Sequence, residues 1–288
     1  MGLIWGIPYL FIKIAVGELT PASLVFLRTA IGAGLLLPVA AARNDLRPLR
    51  PHWRWILAYT VVEVAAPWFL LSDAERRISS SLSGLLIALV PSIGAILAWA
   101  TGSDDRVDLR RIAGLGLGFL GVAALVGLDV GASDIGAVAE VVFVALGYSL
   151  GALIISRKFS QLPLFGVVAA SLALTMVVYA PVGIAQLPSA VPSPQVVGAV
   201  TILGVVCTAL AFLLFFPLVA EVGPARATVI TYVNPAVALA LGVALLGEPL
   251  TPGIVIGFVL IVLGSVLATR RTAPPRPSVA LSRSPDLL

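Results

Sequence analysis

Residues 227–264 read ATVITYVNPAVALALGVALLGEPLTPGIVIGFVLIVLG. Two apolar runs are joined by Gly247-Glu248-Pro249-Leu250-Thr251, a turn with the residues that stop one helix and start another. The first run carries Tyr232, Asn234 and Pro235; the second carries Gly257 and Gly264. About 144 residues earlier the plan recurs: Pro91 inside an apolar run, a polar turn at Gly102-Ser103-Asp104-Asp105, then Gly114 and Gly121. Pro91 to Gly114 is 23 residues, Pro235 to Gly257 is 22, and both glycine pairs are 7 apart. Spacing repeated across half a chain is the mark of a duplication.

Composition decides the solvent. Of 288 residues, 11% are charged and 59% hydrophobic, with a mean hydropathy of +1.08. A water-soluble domain carries about a quarter charged residues, so this chain reads as a lipid-embedded, all-α polytopic protein. The net charge of +4 and pI near 9.6 do not indicate nucleic acid, because the basic residues lie between apolar runs rather than on one face. Cys207 is the sole cysteine, which excludes an internal disulfide. His52 is the sole histidine. No HExxH, GxSxG, paired-carboxylate or Walker-type motif occurs, so no metal, cofactor or ATP drive is expected.

A membrane helix needs about 20 apolar residues. Ten candidates follow: 2–17, 21–41, 53–72, 78–101, 109–127, 135–156, 163–186, 195–218, 225–246 and 251–269. Placing the N-terminus in the cytoplasm puts 14 of the 18 basic residues in cytoplasmic linkers or the tail, so both termini are expected inside. Arg76 and Arg77 fall outside, beside Asp73 and Glu75. Five spans per half is odd, so the second copy is inverted. The expected division is 1–128, 134–270 and a disordered cytoplasmic tail over 271–288, rich in Pro, Ser and Arg. Met1 to Val16 contains no basic residue except Lys13, so no cleavable signal is expected.

Trp5-Gly6, Leu27-Arg28, Pro91, Asn234-Pro235 and Gly247-Glu248, in that order across ten spans, resemble the EamA-type members of the drug/metabolite transporter superfamily. The resemblance implies an inner-membrane carrier with a substrate cavity between its halves, and many members look like exporters of amino acids or other small metabolites. Arg28 belongs to the matched pattern and reads as a structural or gating residue. Glu63 and Glu140 depart from the pattern.

Charge inside lipid costs a few kcal/mol per group by insertion scales and needs a reason. Lys13 lies near the outer end of its span and can snorkel. Lys13 and Arg28 either anchor or pair with Glu140, or hold the carboxylate of an anionic or zwitterionic solute. Glu63 lies mid-span, out of reach of bulk water. It reads either as a proton-coupling group facing a cavity, where burial favours the neutral acid, or as a fixed packing residue. Pro91 and Pro235 each free a backbone carbonyl one turn back, which makes both hinge or cavity candidates. Tyr232 and Asn234 flank Pro235, and Trp5 and Tyr9 lie one turn apart as an aromatic wall. Trp68 and Trp99 read as interfacial belt residues. Gly114, Gly118, Gly121, Gly253, Gly257 and Gly264 suit close helix packing, within one chain or against a second copy. The leading function is a secondary exporter of a small organic solute, possible proton coupling included; an intramembrane transferase acting on a lipid-like substrate is the alternative.

Overall fold

The computed structural model describes residues 1–102, 109–129, 131, 134–222 and 230–269. Every regular element among them is helical. Six helices are long and apolar enough to cross a membrane: α2 (Pro21–Ala42), α3 (Arg47–Ala74), α4 (Ser80–Ala100), α6 (Ile135–Lys158), α7 (Leu164–Ala185) and α8 (Pro194–Leu218). Four more carry shorter apolar stretches: α1 (Gly2–Ala15), α5 (Leu109–Asp129), α9 (Ile230–Leu246) and α10 (Pro252–Thr269). Phe119, Leu120, Val177, Val178, Ile184, Val259 and Leu263 stand exposed. Apolar residues this dense on outward helix faces suit hydrocarbon, where the helix satisfies its own backbone.

The helix ends follow local chemistry. Thr20 and Ser193 cap α2 and α8 through their side-chain oxygens, each with proline at the first helical position. Ser79 caps α4 in the same way, without the proline. Gly247, at φ +66°, closes α9 in the left-handed conformation that glycine adopts without strain.

The packing is two-fold. α1 lies on α8 and α9, while α6 lies on α3 and α4; α2 touches α8 as α7 touches α3. The pairs α2–α7, α4–α9 and α5–α10 join equivalent helices. Each of these contacts has a counterpart five helices on, and each joins the first half to the second. Two sequence details obey the same relation. Pro38 inside α2 and Pro181 inside α7 are 143 residues apart. α3 widens into a π-helix over Thr60–Ala65, and α8 does so over Val205–Leu210, 145 residues later. Such widened turns are rare and concentrate at functional sites.

Glycines bring α5 and α10 into close backbone contact. A Cβ on Gly264 would stand 2.5 Å from Gly118 N and 2.6 Å from Gly114 O, and one on Gly121 would stand 3.0 Å from Ile261 N. A Cβ on Gly257 would strike Leu125. Gly253 is buried where α10 begins.

The two prolines singled out by spacing behave differently. α4 breaks at Ala88–Leu89, just before Pro91, whereas α9 runs through Pro235 unbroken. The break is not left unsatisfied. Ser265 of α10 donates to Ala88 O at 2.6 Å, and Ser149 of α6 donates to Val90 O at 3.0 Å. Through Ser265, α10 reaches into the α4 break.

Candidate substrate site

The site lies where the two halves meet. Arg28 on α2 is 7% exposed; its Nε donates to Thr208 Oγ1 at 3.1 Å, and its guanidinium carbon sits 3.6 Å above the Trp68 ring. Thr208 is part of the π segment of α8 and itself donates to Leu203 O, five residues back. The widened turn thus presents a hydroxyl that a regular helix would aim elsewhere. A cation stacked on a desolvated indole contributes about 2 kcal/mol. The Trp68 indole also reaches the Tyr148 hydroxyl on α6, and Tyr9 of α1 lies within electrostatic range of Arg28, Tyr148 and Glu75. Tyr9 and Trp68 are buried, at 5% and 7% exposure. Five helices, α1, α2 and α3 of the first half and α6 and α8 of the second, therefore supply one polar, aromatic-walled cluster around a guanidinium.

Glu63 occupies the other π segment, half-buried. Its Oε2 is enclosed and accepts no hydrogen bond from a described residue. Room for it comes from α6: a Cβ on Gly151 would overlap the Glu63 carboxyl, and one on Gly147 would lie 2.4 Å from Val62 O. Tyr59 and Tyr148 are its electrostatic neighbours.

The remaining candidates are spread over other tasks. Lys13 neither snorkels freely nor meets Glu140; its Nζ donates to the carbonyls of Glu75 and Ile78 at 2.6 and 2.8 Å, as cations do at a helix C-terminus. Glu140 pairs with Arg77 at 2.6 Å on a partly exposed rim, and the same contact holds the Arg77 guanidinium above its ordinary range. Trp5 packs against Phe212 and Phe215 of α8 at 5.8 and 4.7 Å. Asn234 is half-buried, and its carbonyl faces Gly6 across α1. The Tyr232 side chain lies outside the described residues. Trp99 is 59% exposed, in keeping with a belt. Trp68 is not a belt residue: it is turned inward beneath Arg28.

Sequence reasoning gave Trp68 a belt role and passed over Tyr148, Thr208 and Glu75 as site residues. Tyr148 had a signal, since it adjoins Gly147, the counterpart of Gly6 at the start of the first half.

The model of the EamA-like transporter family matches twice, over residues 1–127 and 136–270. The chain belongs to the EamA-like transporter family. Among its relatives is an uncharacterized transporter of Archaeoglobus fulgidus, 24% identical over 276 residues, covering 93% of this chain and 95% of that one. The uncharacterized transporter YvbV of Bacillus subtilis is 24% identical, covering 94% and 89%. The uncharacterized inner membrane transporter YedA of Escherichia coli K12 is 26% identical, covering 96% and 92%. A solved crystal structure superposes with a TM-score of 0.66 at 22% identity, over 93% of both chains, which shows a shared fold. This EamA protein is thus a multi-pass membrane transporter.

Proposed function

We propose that this transporter exports a small organic metabolite bearing a carboxylate, amino acids being the favoured class, by alternating access between its two halves. The observation that carries the reading is Arg28: a guanidinium buried between the halves, stacked on Trp68 and bonded to a π-segment hydroxyl, with Tyr9 and Tyr148 beside it. A bidentate cation of this kind suits a planar carboxylate, and the aromatic rings suit an apolar side chain. In this reading all ten helices cross the membrane. The basic linkers lie inside, both termini are cytoplasmic, and the end bearing Glu75 faces out. Glu63 exchanges a proton during the cycle, having an enclosed oxygen and no cation partner among the described residues.

Counterflow in proteoliposomes tests the reading. Vesicles loaded with single amino acids should take up the same labelled compound in a saturable, exchangeable way. Arg28→Lys and Arg28→Gln, at normal expression, should lose most of that flux. No exchange with any carboxylate-bearing solute, or full flux in Arg28→Gln, overturns it.

A further inference from the structure

At one end of the molecule the linkers are tied to one another. The Glu248 carboxylate, in the turn between α9 and α10, accepts from Ser80 N at 2.7 Å, Ser81 N at 2.9 Å and Ser81 Oγ at 2.5 Å. Glu18, after α1, accepts from Ser193 N at 2.8 Å, and Thr20 bonds Gln186. Arg77 joins Asp73 to Glu140, and Lys13 holds the carbonyls of Glu75 and Ile78. These ties hold the turn after α3 against α1, α6 and the α9–α10 turn, closing the end.

Glu75 lies beneath the ties. It is 0% exposed, and neither carboxylate oxygen accepts a hydrogen bond from a described residue. Its charged surroundings are Lys13 and Tyr9 on α1, Arg28 on α2 and Glu248 from the α9–α10 turn; Asp73, Arg76 and Arg77 flank it on its own segment. Lys13 spends donors on main-chain carbonyls and makes no ion pair with the Glu75 side chain within 4 Å among the described residues. Glu248, by contrast, has three donors to support its charge. An ionised carboxylate without donors in a dry interior costs far more than its neutral acid. Burial raises the Glu75 carboxyl well above its usual range; Lys13 and Arg28 oppose that shift, and Glu248 adds to it.

We propose that Glu75 is a proton-binding site that governs this end of the carrier: the end closes over the protonated acid and opens as the acid ionises. Opening admits water, the carboxylate forms and its proton leaves to that water; closing requires a proton to return. The proposal goes beyond the substrate reading and does not need Glu63 to titrate or Arg28 to hold a carboxylate.

The test needs no substrate. Ser83 is buried in the first turn of α4, beneath the ties. In a Cys207→Ser background, Ser83→Cys reports opening through its rate of reaction with a membrane-impermeant maleimide, corrected for thiolate fraction with a free-thiol standard. The corrected rate should rise with pH by up to about tenfold per unit, the limit for one linked proton. Glu75→Gln should abolish that slope and hold the end closed. If Glu75→Gln does not accumulate, two neighbours serve instead. Glu248→Gln should move the pH midpoint down and Lys13→Gln should move it up, since one removes a negative charge beside Glu75 and the other a positive one. A wild-type slope retained in Glu75→Gln, midpoints that do not part in these directions, or a rate that follows sodium rather than pH each overturns the proposal. Failure here leaves the counterflow result standing, and the converse holds too.

Discussion

Gly264→Ala isolates the α5–α10 seam. An alanine Cβ there would stand 2.5 Å from Gly118 N and 2.6 Å from Gly114 O, whereas carbon atoms rest at roughly 3.5–4 Å from their neighbours. Both obstacles are backbone, so no rotamer change relieves the overlap. The helices must part by about 1 Å along the seam, also loosening Gly121 against Ile261 and Gly257 against Leu125. Overpacking of this kind costs about 1–3 kcal/mol, against a gain of at most about 1 kcal/mol from alanine's helix propensity. Gly116, on the same helix α5, has nothing within 4 Å of its Cβ position and serves as control. Thermal unfolding of purified protein in detergent should therefore show Gly264→Ala melting below wild type and Gly116→Ala at or above it. Equal melting temperatures for the two variants would refute the claim that backbone contact, rather than general burial, holds the seam.

Ser265→Ala removes the donor from Ala88 O in a buried break and should cost about 1–3 kcal/mol, read as a fall in melting temperature; no change would mean the carbonyl finds another partner. Glu248→Ala should cost about 2–4 kcal/mol by stripping the α4 terminus of its acceptors, with limited proteolysis after α3 as the readout. Glu18 is held below the usual carboxylate range by its hydrogen bonds from Ser193, so its contribution is complete above the unfolded value of about 4.3 and is lost as pH falls through the lower folded value. The melting difference between wild type and Glu18→Gln should accordingly be largest near neutrality and vanish in acid; a difference that grows in acid refutes the sign.

Much of the fold was legible because lipid imposes length and polarity on every span. The 22- and 23-residue spacings, the glycine pairs and the arginine distribution express constraints local enough to survive in one sequence. The site was harder to see. Glu63 stood out because a charge in mid-span is conspicuous, and Arg28 for the same reason. Trp68 was misplaced because position along a span predicts depth but not which way a side chain turns, and Thr208 is invisible without its partner Arg28, 180 residues away. Pro91 and Pro235 look equivalent in sequence, yet only the first coincides with a break. What separates them is the serine pair Ser149 and Ser265 on neighbouring helices, a tertiary fact that no local reading of α4 contains.

The widened turns in α3 and α8 have a geometric consequence of their own. A π turn holds one residue more than an α turn, so it shifts the phase of everything beyond it by about 100°, the angle per residue of a 3.6-residue helix. Extrapolating the face of α3 from Tyr59 through Thr60–Ala65 therefore points Trp68 a quarter-turn away from its true direction. Deleting one residue from that segment would keep the helix and its length almost intact while rotating Trp68 off Arg28. The same edit in Val205–Leu210 would redirect the aromatic face of Phe212 and Phe215 away from Trp5. Each half of the carrier is thus indexed by a single extra residue, placed at the same step of the repeat, that sets which side of the helix looks inward.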